Sequence, residues 1–152
     1  MCYGPPVMPK LRTFLALDST DKIASIEAIT MVLYAKFLIL GVPPRHWRAR
    51  FAAKGIEAES LPDLETIRRV RLAIQRALTN VPGSPNCLPQ ALAARWMLER
   101  RGIASRLFIG TQRGEDGQWR FHAWLKVGEE WVTGLCDESR YSLLEDSGAE
   151  TA

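Results

Sequence analysis

The chain has 152 residues, 47% of them hydrophobic, which suits one domain or a domain with a small helical extension and excludes general disorder. The net charge of +3, from 20 Lys and Arg against 17 Asp and Glu, is too slight to name a partner class, and no aromatic–basic interleaving or zinc-finger spacing speaks for nucleic acid. Three cysteines without paired spacing, Cys2, Cys87 and Cys136, do not make a disulfide framework, and residues 1–11 carry three prolines and no apolar core of signal type, so the expected location is the reducing cytoplasm.

In chain order, the first predicted element is a helix from about Asp18 to Leu40, with Asp18, Ser19 and Thr20 as N-cap choices and Gly41-Val42-Pro43-Pro44 as its stop. From Ala28 to Val42 it is apolar nearly all round, apart from Thr30 and Lys36. The run is short of the ~20 residues a spanning helix needs, so burial on several faces is expected. The alternative is docking on a partner or peripheral contact with a membrane surface. A basic helix follows from Pro44 to Gly55, with Arg45, His46, Arg48, Arg50 and Lys54. A third helix starts near Pro62-Asp63 and carries Leu64, Ile67, Arg71, Ile74 and Leu78 on one stripe. Its Arg68, Arg69, Arg71 and Arg76 read as a solvated face or as a surface for an acidic partner.

The turn-rich segment from Asn80 to Pro85 divides a helical N-terminal portion, 1–84, from a core over 85–152. Within that core a fourth helix starts at Cys87 and ends at Gly102. Three strands follow, Arg106 to Thr111, Trp119 to Val127 and Trp131 to Thr133, with Gly114 to Gly117 and Gly128-Glu129 as turns. Tyr141 to Leu144 adds a short edge strand. The fold class is therefore α+β: a helical N-terminal portion, then a helix followed by an antiparallel meander.

Cys87 stands where the fourth helix begins, with Asn86 as N-cap and Pro89 in the first turn. The positive end of the helix favours a thiolate there, and the free N–H groups of the first turn can receive the oxygen of a tetrahedral intermediate. His122, in Phe121-His122-Ala123-Trp124-Leu125, is the only histidine inside an apolar strand. Beside a helix-start cysteine it reads as the general base of a Cys–His hydrolase, in papain-type chain order. A two-residue turn at Gly128-Glu129 would set Val127 opposite Glu130 and His122 opposite Leu135. A carboxylate orienting His122 is then expected near Gly134 to Cys136, and Asp137 is the nearest; a backbone carbonyl or a water is the alternative. Cys87, His122, Cys136 and Asp137 taken as metal ligands lack the close-spaced pair of a structural zinc site, so neither metal nor cofactor is expected.

The segments Cys87-Leu88-Pro89-Gln90-Ala91-Leu92-Ala93, Gly102 to Gly110 and Phe121-His122-Ala123-Trp124-Leu125, in that order, resemble the transglutaminase-like peptidase of lasso peptide biosynthesis, the B protein in its leader-peptidase form. The resemblance covers roughly residues 85 to 144 and implies papain/transglutaminase-like topology for the α+β fold. It implies a cysteine peptidase that removes the leader from a ribosomally made precursor peptide before a macrolactam-forming cyclase closes the ring. Because the segment before Cys87 reads as helices, it implies the split form, with a separate leader-binding protein. Members with a full triad carry an Asp on the strand after the His; here Gly134 occupies that place. The two other readings are an acyl transferase of the same fold and a non-catalytic scaffold for precursor and cyclase.

Overall fold

The computed structural model describes residues 8–43, 46, 63–83 and 86–144. The basic helix expected from Pro44 to Gly55 lies outside the described residues apart from His46, which is exposed, and Cys2 lies outside them too. Among the described residues, four α-helices and a four-stranded antiparallel sheet make an α+β fold.

A short helix, α1 (Met8–Leu15), precedes the first expected one; Pro9 falls in its first turn, where proline is tolerated. Helix α2 (Ser19–Gly41) is capped by Asp18, whose carboxylate accepts the Asp21 N–H at 2.7 Å, and it ends just before Pro43. Ala24, Ser25, Ala28, Val32 and Ala35 form its buried face. The opposite face is open: Ile23, Ile26, Leu33, Tyr34, Phe37 and Leu40 are 44% to 78% exposed. The expectation of a helix covered on several sides is thus corrected, because among the described residues helices pack on one side of α2 only. With 23 residues α2 is long and apolar enough to cross a membrane by length and composition, yet Ala28 and Val32 belong to the same core cluster as Ile67, Leu98 and Leu125.

Helix α3 (Leu64–Asn80) is capped by Asp63, which accepts the N–H groups of Glu65 and Thr66. It buries Ile67, Val70, Ala73, Ile74 and Ala77. Three of its four arginines tie it to its neighbours rather than face solvent freely. Arg69 pairs with Asp21 at 3.1 Å, Arg71 donates to the Trp131 carbonyl, and Arg76 reaches Ser25 Oγ at 3.5 Å.

Helix α4 (Cys87–Glu99) is the hub of the fold, packed between α2, α3 and the sheet. Three alanines, Ala91, Ala93 and Ala94, are fully buried; their small side chains let neighbours approach from several directions. Arg95 is buried beside them and is neutralised by Glu99 at 2.9 Å.

The strands are β1 (Arg106–Arg113), β2 (Trp119–Val127), β3 (Glu130–Thr133) and β4 (Ser142–Leu143), in the order β3-β2-β1-β4. The β2–β3 register begins as counted, with Val127 opposite Glu130 and Lys126 opposite Trp131, then slips so that Leu125 faces Thr133. The slip is a β-bulge, which adds one residue to β3 and bends it. The count that set Leu135 opposite His122 fails for this reason. Ala123, Leu125 and Val127 face the helices and join the core, while His122 and Trp124 lie on the other face with Tyr141.

Candidate active site

Cys87 is the first residue of α4, and Asn86 is its N-cap but makes no side-chain capping bond. The sequence removes one of the two usual partners: a capping side chain bonds the N–H of the second or third helical residue, and the third here is Pro89, which has none. The amides of Cys87 and Leu88 thus lack a side-chain cap. The Cys87 sulfur accepts the N–H of Ala123 at 3.3 Å. That amide lies past the last β2–β3 pair, Leu125 with Thr133, so no strand partner claims it. Ala123 is 2% exposed, and the thiol satisfies a buried donor.

His122 contributes the other half. Its Nε2 lies 2.8 Å from the carbonyl oxygen of Gly134. A carbonyl can only accept, so Nε2 carries the proton and Nδ1 of the neutral ring is left with its lone pair. The ring is held between Trp124, with centroids 5.9 Å apart, and Tyr141, at 5.5 Å. Trp124 is fully buried and donates its indole N–H to Glu138 at 2.9 Å. Gly110 faces His122 across the β1–β2 ladder, and a Cβ there would come within 2.9 Å of Tyr141 Cβ and 3.0 Å of the Trp124 ring. Sulfur and imidazole therefore flank one peptide unit, His122–Ala123, without a direct hydrogen bond between them. A thiol at a helix N-terminus and an imidazole on the residue before the amide it accepts are parts that acyl transfer through a thioester could use.

Residues 30–145 match the family described as the transglutaminase-like superfamily. The chain belongs to that superfamily. The match spans α3, α4 and the whole sheet, with the C-terminal half of α2. The superfamily generally contains cysteine peptidases and transferases. Comparison with curated proteins and with solved structures returned no match.

The acid position of this transglutaminase-like site is filled by backbone. Gly134 has φ +73°, and a Cβ on it would stand 2.5 Å from the Ala123 carbonyl oxygen and 2.9 Å from Trp124 Cβ. No side chain fits, and it is the Gly134 carbonyl that meets the imidazole. Asp137, the expected orienting group, is turned elsewhere: its carboxylate accepts the Ser139 hydroxyl at 2.6 Å and the Ser139 N–H at 3.1 Å. It caps the single-turn helix Glu138–Arg140. Those bonds hold its carboxyl below the ordinary range, so the cap survives through that range and is lost only as the pH falls below it. Asp137→Asn keeps a capping oxygen and leaves the Gly134 carbonyl in place. Its turnover is expected within about twofold of wild type, under ~0.5 kcal/mol, measured by steady-state kinetics; a tenfold loss would return Asp137 to the site.

Cys136 is a free, half-buried thiol. Burial, then the carboxylates of Glu138 and Asp137, push its pKa up, which makes it a poor nucleophile at neutral pH. Among the described residues no three His, Cys, Asp or Glu side chains gather to hold a metal. Sequence reasoning passed over Tyr141, Glu138 and the Ala123 amide. Only Gly110 carried a signal, since a glycine inside a strand marks a close approach of another group.

Proposed function

We propose that this transglutaminase-like chain is a cysteine peptidase that removes the leader from a ribosomally made lasso peptide precursor before macrocyclisation, in the cytoplasm. The observation that carries the reading is the Cys87 sulfur hydrogen-bonded to the amide next to His122. The three sequence segments that resemble the lasso B protein supply the substrate class.

In the reaction Cys87 sulfur attacks the scissile carbonyl carbon while His122 takes the thiol proton on Nδ1. The carbonyl oxygen becomes an anion facing the first-turn amides of α4. As the C–N bond breaks, His122 returns the proton to the leaving amine and a thioester remains on Cys87. Water, deprotonated by His122, then cleaves the thioester and restores the thiol. Throughout, the Nε2–H stays on the Gly134 carbonyl, which fixes the ring and partly offsets the imidazolium charge.

The partners in this reading are the precursor peptide, a separate leader-binding protein and the macrolactam-forming cyclase. The test is mass spectrometry of a synthetic lasso precursor incubated with the protein, with and without the leader-binding protein. The expected result is one cut giving free leader and core, at least tenfold faster with the leader-binding protein present. Full-speed cleavage by the chain alone would remove the partner from the scheme. A product in which an amine replaces water would assign the protein to the acyl transferases instead, and an intact precursor in every arm would leave a scaffold.

A further inference from the structure

The exposed face of α2 has a spacing that the fold of one chain does not require. Ile23, Ile26, Thr30, Leu33, Phe37 and Leu40 follow one another at intervals of three and four residues in strict alternation. This is the 3.5-residue repeat of a helix that packs along its length against another helix. All six are exposed, and Ile23, Phe37 and Leu40 reach 65%, 68% and 78%. The buried face of the same helix, Ala24, Ala28, Val32 and Ala35, lies on the other side and is satisfied by the core. A helix that served only its own domain would carry one broad apolar stripe with polar residues opposite it.

We propose that this seam is the interface of a homodimer, in which α2 of one protomer packs against α2 of a second copy. Three features select a second copy as the occupant. The repeat calls for a helix, and α2 itself presents a helix of matching length and period. A two-fold axis across the seam sets the same residues against each other, so neither copy needs a separate complementary surface. The exposed parts of the apolar seam residues and of Tyr34, which flanks them and packs on Trp96 at 5.5 Å, offer several hundred Å² per protomer for burial, on the order of the ~800 Å² that one partner brings to a stable interface. The first half of the seam, Ile23, Ile26 and Thr30, forms one wall of a groove that Glu27, Met31 and Arg100 complete, which gives the second helix a bed. A lipid surface would reward a broad apolar arc edged by Lys and Arg, and it places no value on a 3.5-residue repeat. The catalytic face of the sheet has no part in this interface, so the proposal stands apart from the proposed reaction.

Sedimentation velocity of the full chain, from micromolar to hundred-micromolar concentration in detergent-free buffer, tests it. The expected species has twice the 17.1 kDa of the monomer. Ile26→Glu with Phe37→Glu should shift the dimer midpoint at least tenfold higher or leave only monomer, while its circular dichroism and melting profile stay those of wild type. Leu64→Glu, at an exposed leucine on α3, should remain dimeric. A wild-type chain that is monomeric throughout overturns the proposal. So does a monomer that floats with phosphatidylcholine–phosphatidylglycerol vesicles and loses that binding in the double variant, because the face then belongs to a membrane surface. A dimer that survives the double variant overturns it as well, since the copies would then meet elsewhere.

Discussion

Cys87→Ala and Cys87→Ser are both expected to lose cleavage of the precursor by a factor of about 10⁴ or more, since removing the nucleophile of a Cys–His or Ser–His unit costs that much. The two variants should differ in stability. Alanine leaves the buried Ala123 N–H without an acceptor, which costs about 1–3 kcal/mol. Serine restores an oxygen at nearly the same place and should melt close to wild type. Cys136→Ala should retain most activity, because the Cys136 thiol is held in its protonated form near neutral pH. Peptide mapping after iodoacetamide treatment at neutral pH should show Cys87 modified well before Cys136. Equal loss of cleavage in Cys87→Ala and Cys136→Ala, or retained cleavage in Cys87→Ser, would mean that the nucleophile has been assigned to the wrong residue.

Gly134→Asp, which writes the triad acid back into the sequence, should damage the protein instead of improving it. The backbone at Gly134 has φ +73°, a conformation that costs a non-glycine residue about 1–3 kcal/mol. Any Cβ there also meets the Ala123 carbonyl oxygen at 2.5 Å, so backbone must move on one side or the other. Movement of residue 134 carries its carbonyl away from His122 Nε2, and movement of residue 123 carries its amide away from Cys87. A combined loss of about 3 kcal/mol lowers the melting temperature by about 6–12 °C in a chain of this size. Turnover should fall at least a hundredfold, and Gly134→Ala should behave in the same way because the Cβ alone causes the conflict. A Gly134→Asp protein with wild-type melting and equal or higher turnover would refute this account of the site.

The sequence made the α+β class, the four strands, the helix start at Cys87 and the place of His122 on β2 legible because each rests on local signals. Turn residues at 114–117 and 128–129 delimit the strands, period two sorts β2 into its faces, and the Pro/Gly-rich loop sets Cys87 at a helix start. Two features were beyond local reading. The bulge between Leu125 and Lys126 depends on how β3 packs, not on any residue that announces it, and it invalidated the pairing count by one residue. The orientation of α2 was hidden by its own composition: when both faces are apolar, alternation cannot tell the covered side from the open one. Asp137 was chosen as the nearest carboxylate along the chain. Its Ser139 neighbour two residues on, an ordinary partner for a capping Asp, was the available sign that its bonds were already spent.

The use of a main-chain carbonyl to hold His122 has a consequence for how such a site is found by mutation. An alanine scan reports what side chains do, and across residues 135–141 it would return no third essential residue. Glu138→Ala would register through the Trp124 indole, Tyr141→Ala through lost packing on the ring, and Asp137→Ala through a frayed helical turn. The group that orients His122 would show itself only as a glycine intolerant of every replacement, the behaviour usually filed under folding. Backbone chemistry, such as an ester in place of the amide that follows Gly134, weakens that carbonyl as an acceptor without adding a side chain, and so separates its catalytic part from its structural one.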